Sequence, residues 1–262
     1  MISTLNGSHL FFQRVGNGPE TLLFFHGFGQ SHAVFLPVAQ AIAETHTCYI
    51  FDLYFHGQSE WNNAEEPLTK TAWKNILNHF LAEHTIEKFS VAGFSLGGKL
   101  ALATLEAFPE RVGAITLIAP DGIKTSFWYS LATYPFILRR LFKSMILHPS
   151  RFFSLATMLN TLGLVKKGLI RFASSQMDTE EKRSRVYFAW TVFRLLTFDL
   201  KKIGDTINQQ HIRFSLVVGE FDQVIKPKNM NRITKHVHEK KVIIHPTGHN
   251  GLITSEMLSK IL

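Results

Sequence analysis

Short apolar runs and longer amphipathic stretches take turns along this chain. Thr21–Phe25, Thr47–Leu53, Phe89–Phe94, Ala114–Ala119, Arg213–Gly219 and Lys241–His245 are brief, mostly apolar and free of proline. Each predicts a strand, and Thr21–Phe25 and Thr47–Leu53 predict buried ones. His9–Val15 alternates loosely and predicts one more, closed by Gly16-Asn17-Gly18-Pro19. Between the runs, helical spacing covers Ser31–Glu44, Leu68–His84, Leu96–Phe108, 228–236 and Leu252–Leu262. Ser31 suits an N-cap, and Pro109 stops the third helix. Strands alternating with helices predict an α/β fold, with a mostly parallel central sheet covered by helices on both faces.

The alternation stops after Ala119. From 121 to 207 the pattern is helical, aromatic and basic, without a strand, and far too long for a loop. It predicts a helical cap, 121–207, inserted into a core formed by 1–120 and 208–262.

Composition adjusts this picture in four places. Apolar residues make up 45% of the chain, enough for a sizeable core. The 23 phenylalanines fill that core or line an aromatic pocket, and the sequence leaves both open. The single cysteine, Cys48, cannot form an internal disulfide and reads as a small buried hydrophobe. No basic, apolar leader opens the chain. No uncharged apolar run approaches the ~18 residues of a membrane span. A soluble, cytoplasmic protein is the expectation. Charge is uneven. Lys124–Gly204 holds 14 Lys+Arg against 4 Asp+Glu, so the whole net charge of +8 arises there. The segment suits an anionic substrate or peripheral contact with a membrane surface, or is a solvated basic face. It carries no nucleic-acid module. No phosphate-binding loop, dinucleotide fingerprint or metal-ligand spacing occurs, so neither a cofactor nor a metal is expected.

Gly93-Phe94-Ser95-Leu96-Gly97 lies between a predicted strand and a predicted helix. A serine at such a turn takes a strained, exposed position, and glycines two residues away on either side remove clashing Cβ atoms. The Leu96 N–H then sits at a helix N-terminus, aimed at whatever Ser95 attacks.

With His26-Gly27 after an early buried strand, Gly219-Glu220-Phe221-Asp222 and Gly248-His249-Asn250 in that order, the chain resembles the α/β-hydrolase superfamily over nearly all of its length outside the insertion. The resemblance implies that family's sheet, with a helical cap after the sixth strand. Ser95 is the expected nucleophile, His249 its base and Asp222 the acid that orients the base; both partners stand just past predicted strand ends. Asp121, Asp199 and Asp205 are poorer acids, at the edges of the cap or inside it. By resemblance, the second oxyanion donor is the backbone N–H of Phe28. His26 is expected to brace its loop. Two departures stand out. Tyr54-Phe55 replaces the Pro-Gly pair common after the fourth strand, leaving Gly57 and Ser59 to close the turn. Lys99, one helical turn after Ser95, matches a basic residue, usually Arg, in relatives that act as lyases in menaquinone synthesis. It steers a substrate carboxylate or is satisfied at the helix edge. The expected activity is that of a carboxylesterase-like serine hydrolase needing no cofactor, acting on a hydrophobic ester or related acyl compound with an anionic group allowed. The alternative is a lyase or C–C bond hydrolase using the same triad on a carboxylate-bearing substrate.

Overall fold

A computed structural model of the protein describes residues 1–63, 65–125, 127–163 and 178–262. Its eight strands are β1 (Ile2–Leu5), β2 (Ser8–Val15), β3 (Glu20–Phe25), β4 (His46–Phe51), β5 (Phe89–Phe94), β6 (Val112–Ile118), β7 (Arg213–Gly219) and β8 (Lys241–His245). They form one sheet in the order β1-β2-β4-β3-β5-β6-β7-β8. β2 pairs antiparallel with both β1 and β4. Every pair from β4–β3 to β7–β8 is parallel. The expected α/β architecture is therefore present.

β1 is a strand the apolar pattern did not reveal. It joins β2 through Asn6-Gly7, both at positive φ (51° and 76°), the backbone a two-residue hairpin requires. Counting β1 makes β6 the sixth strand.

Aromatic packing accounts for many of the phenylalanines. Every residue of β4 is buried. Phe51 stacks on Phe25 at 5.4 Å and meets Phe80 edge-on at 4.8 Å. Phe80 belongs to α2 (Lys70–Glu83), whose Thr69 hydroxyl caps the Ala72 N–H. Buried Trp73 donates from its indole to Thr104 Oγ1 at 3.0 Å, tying α2 to α3 (Leu96–Ala107). The helix expected over Ser31–Glu44 is a 3₁₀ turn, His32–Phe35, followed by α1 (Leu36–Ala41). Pro37 sits in the first turn of α1, the one helical location where its missing N–H costs nothing.

The chain divides into two compact units, one of 1–64, 68–124 and 195–262, the other of 65–67 with 125–194. The second unit contains α4 (Phe127–Thr133), α5 (Phe136–Leu147), α6 (Pro149–Thr161) and α7 (Glu180–Val192). Of the insertion expected from the sequence, residues 126 and 164–177 lie outside the described residues. α8 (Leu200–Gln209) falls in the first unit, where a Cβ on Gly204 would collide with His236. Glu65 lies between α5 and α7, accepting from Lys143 Nζ and, at 2.7 Å, from the Tyr187 hydroxyl. Among the described residues no helix is long and apolar enough to cross a membrane.

Candidate active site

Ser95 occupies the turn between β5 and α3 with φ 50° and ψ −116°. A non-glycine residue rarely adopts such a backbone, and its neighbours hold it there. The Ser95 N–H donates to Ile118 O at 2.9 Å, and its carbonyl accepts from Gly98 N (2.9 Å) and Asp121 N (2.8 Å). The flanking glycines permit close approach. A Cβ on Gly97 would collide with the Phe25 carbonyl, and one on Gly93 with the Gly97 carbonyl. α3 can therefore lie directly against β3 and β5. Leu96 is the first residue of α3, so its N–H is one that no helical carbonyl can satisfy.

Two loops converge on this turn from β7 and β8. The pairing of the strands continues past their ends, with Glu220 N donating to His245 O (2.8 Å) and Phe221 N to Thr247 O (3.1 Å). Gly219 allows this, because a Cβ there would press on Thr247 O. Asp222 follows, buried, with Oδ1 accepting from the backbone N–H groups of Val224 (2.7 Å) and Ile225 (2.8 Å). Its other oxygen, Oδ2, lies 2.7 Å from His249 Nδ1, and His249 Nε2 lies 3.0 Å from Ser95 Oγ. An ionised carboxylate only accepts, so the His249 Nδ1 carries the proton. The lone pair of Nε2 is then free to accept from the serine hydroxyl. The Phe94 ring lies against the imidazole, centroids 4.9 Å apart, and limits its tilt.

Phe28 lies in the turn after β3. Gly27 N donates to Gln30 Oε1 at 3.0 Å, and Gln30 N returns to Gly27 O at 3.3 Å. Among the described residues, neither the Phe28 nor the Leu96 N–H has a protein acceptor. Fully buried His26 anchors the base of this loop. It accepts from Leu53 N at Nε2 (3.0 Å), so Nδ1 carries the hydrogen and donates to Gly27 O (2.7 Å).

The loop after β4 closes around Asp52, also fully buried. Its carboxylate accepts from His32 N (2.6 Å), His32 Nδ1 (2.9 Å) and Gln58 N (2.9 Å). Ser59 Oγ donates to Asp52 O (2.7 Å) and accepts from Phe11 N (2.8 Å). Gly57 takes φ +53° directly beneath the carboxylate, where any Cβ would collide with it. Gly57 and Ser59 thus close the turn, as the sequence implies, although Pro-Gly is missing from it.

Of the residues singled out from sequence, Ser95, His249 and Asp222 come together. Lys99 does not join them: it is buried on α3, with Nζ 3.4 Å from Asp121 Oδ2. The bond of Gln30 to Gly27 and the contact of the Phe94 ring with His249 were not read from the sequence. Gln30 and Phe94 each sit one or two residues from a singled-out position, and that adjacency is the signal that could have found them.

A family model described as the alpha/beta hydrolase fold matches residues 20–256. Over 118 residues, 45% of this chain, the sequence is 34% identical to the dihydrolipoyllysine-residue acetyltransferase component of the acetoin cleaving system of Cupriavidus necator; that stretch is 31% of the relative's length. The chain thus spans about a third of the first curated relatives it matches. Lipase 1 of Psychrobacter immobilis is 23% identical over 96% of this chain and 78% of its own. Among solved structures, an esterase from Thermogutta terrifontis superposes with a TM-score of 0.68 at 17% identity, covering 99% of this chain and 94% of that one.

Proposed function

This chain belongs to the α/β-hydrolase fold family, and on that premise we propose that it is a serine hydrolase cleaving a carboxylic ester or a related acyl compound. The observation that carries the proposal is the continuous line Ser95 Oγ–His249–Asp222, with links of 3.0 and 2.7 Å. In this reading His249 Nε2 takes the serine proton as Oγ attacks the acyl carbon. The Asp222 carboxylate, itself held by two backbone N–H groups, stabilises the imidazolium that forms. The N–H groups of Leu96 and Phe28 receive the charge on the carbonyl oxygen, and each such donor is worth about 3–4 kcal/mol in the transition state. The imidazolium then protonates the departing alkoxide. A water, deprotonated by the same Nε2, releases the acid and restores Ser95.

The names of the lipase and esterase relatives agree with ester chemistry. The pairing of Lys99 with Asp121 weighs against the lyase alternative, which needs that ammonium for a substrate carboxylate. A series of p-nitrophenyl esters of graded chain length tests the proposal. Wild-type protein is expected to show a burst of nitrophenol followed by steady turnover, and Ser95→Ala to show neither. Undiminished turnover by Ser95→Ala would refute the reading.

A further inference from the structure

Helix α5 is apolar on two faces. One is buried: Met145 and Ile146 face inward, where Phe142 packs with Ile146 and Tyr187. The other looks outward. Phe136, Ile137, Leu141 and Leu147 are 60%, 78%, 46% and 66% exposed. α4, which packs on α5, adds Phe127 at 70% and Leu131 one turn on. Monomeric proteins seldom leave so many large apolar side chains in water on two adjacent helices.

Cations are interleaved with them. The Arg139 and Arg140 guanidinium carbons lie 5.7 and 5.1 Å from the centre of the Phe136 ring. Among the described residues Arg140 has no carboxylate partner. From Phe127 to Met177 the sequence contains seven Lys+Arg and not one Asp or Glu.

From this combination we propose that the outer face of α4 and α5 docks on a bilayer surface rich in anionic phospholipid. A lipid interface accepts both features at once. Apolar side chains enter the acyl boundary, while arginines reach up to the phosphates on their flexible stems. A second copy of the chain fits poorly, because apposing two such faces sets Arg140 and its neighbours against their own copies with no acid between them. An acidic protein surface would meet the cations but leave the tips of Phe136, Ile137 and Leu147 facing charge.

Co-sedimentation with vesicles tests this. Protein is expected to bind phosphatidylcholine vesicles containing phosphatidylglycerol, to ignore pure phosphatidylcholine, and to release as salt is raised. Arg140→Ala should weaken partitioning about fivefold, the equivalent of about 1 kcal/mol for one cation at an anionic surface. Ile137→Ser should weaken it about tenfold, from the loss of one buried aliphatic side chain. Ile137→Trp gives a signal that does not depend on loss: its emission should shift to the blue when anionic vesicles are added. Three results would overturn the proposal: no association with anionic vesicles at low salt, equal partitioning by folded Ile137→Ser, or lipid-free dimers that Ile137→Ser dissociates.

Discussion

At the scale of single residues, the site turns on which nitrogen of His249 carries the proton. Asp222 can impose that choice because its own geometry is over-determined: Val224 and Ile225 hold Oδ1, leaving Oδ2 to meet the ring at 2.7 Å. Asp222→Asn keeps the shape and removes the command. Its amide nitrogen, pointed at Nδ1, would favour the opposite tautomer and take the acceptor lone pair away from Ser95. If the proposed reading holds, ester kcat should drop by about 10⁴-fold, with little change in thermal stability. A merely structural aspartate would give the reverse, a lowered melting temperature with near-normal turnover. The strained φ of Ser95 tells a related story. Its backbone is clamped by Ile118, Gly98 and Asp121, so the unfavourable conformation belongs to the fold and persists in Ser95→Ala.

At the scale of elements, the close seating of α3 on the sheet decides whether that clamp exists. Gly97→Ala places a methyl group against the Phe25 carbonyl, which belongs to a central strand and cannot move aside. We expect destabilisation of about 1–3 kcal/mol, the usual cost of overpacking, read as a lower denaturant midpoint at unchanged slope. Ester turnover should fall as well, since Ser95 shifts with α3. Glu65 sets a second element-scale case, the joint between α5 and α7. Burial raises its carboxyl, but hydrogen bonds from Lys143 and Tyr187 and the charges of Lys143 and Arg139 outweigh this and leave it lowered from 4.5. A carboxyl lowered on folding stabilises fully above its unfolded value, and that contribution fades as pH falls through the folded one. Circular-dichroism melts of wild type should therefore lose more stability between neutral and acid pH than those of Glu65→Gln. Parallel losses would disprove the role of the joint. How legible these elements were in the sequence follows from the same physics. The inner parallel strands could be read because burial leaves a nearly unbroken apolar run, and β8, an edge strand with no buried residue, still shows itself by Val242-Ile243-Ile244. β1 could not, because an edge strand of four residues alternates exposed and buried and offers only its Asn-Gly turn as a mark. The Gly-x-Ser-x-Gly turn, the Gly57 turn and the Asp222 and His249 loops were legible because each needs a residue type at a fixed spacing. Lys99 shows the limit. Spacing put it one turn from Ser95, but only coordinates reveal that Asp121 occupies its charge.

At the scale of the whole molecule, the sheet contains its own probe of opening. Cys48 is fully buried in β4, between β2 and β3, and burial pushes its thiol up from 9.0 to about 12. The thiolate is the reactive form. At mildly alkaline pH the folded protein holds almost none of it, whereas an unfolded chain holds an appreciable share. Alkylation must therefore await separation of β4 from its neighbours. Native protein should resist iodoacetamide for as long as it stays folded, and the labelling rate should climb with denaturant in step with loss of the circular-dichroism signal. Stability should also decline as pH rises from 9.0 toward about 12, because the unfolded chain surrenders a proton that the folded sheet retains. Cys48→Ala should flatten that alkaline decline, though its smaller side chain will lower stability at every pH. The helical second unit contains no cysteine, so the label reports on the sheet unit alone. If ellipticity falls in two steps and labelling follows only the later one, the α4–α7 helices melt before the sheet; if both signals move together, the two units unfold as one. Rapid labelling of native protein at neutral pH would contradict the buried position of β4 and the sheet order built on it.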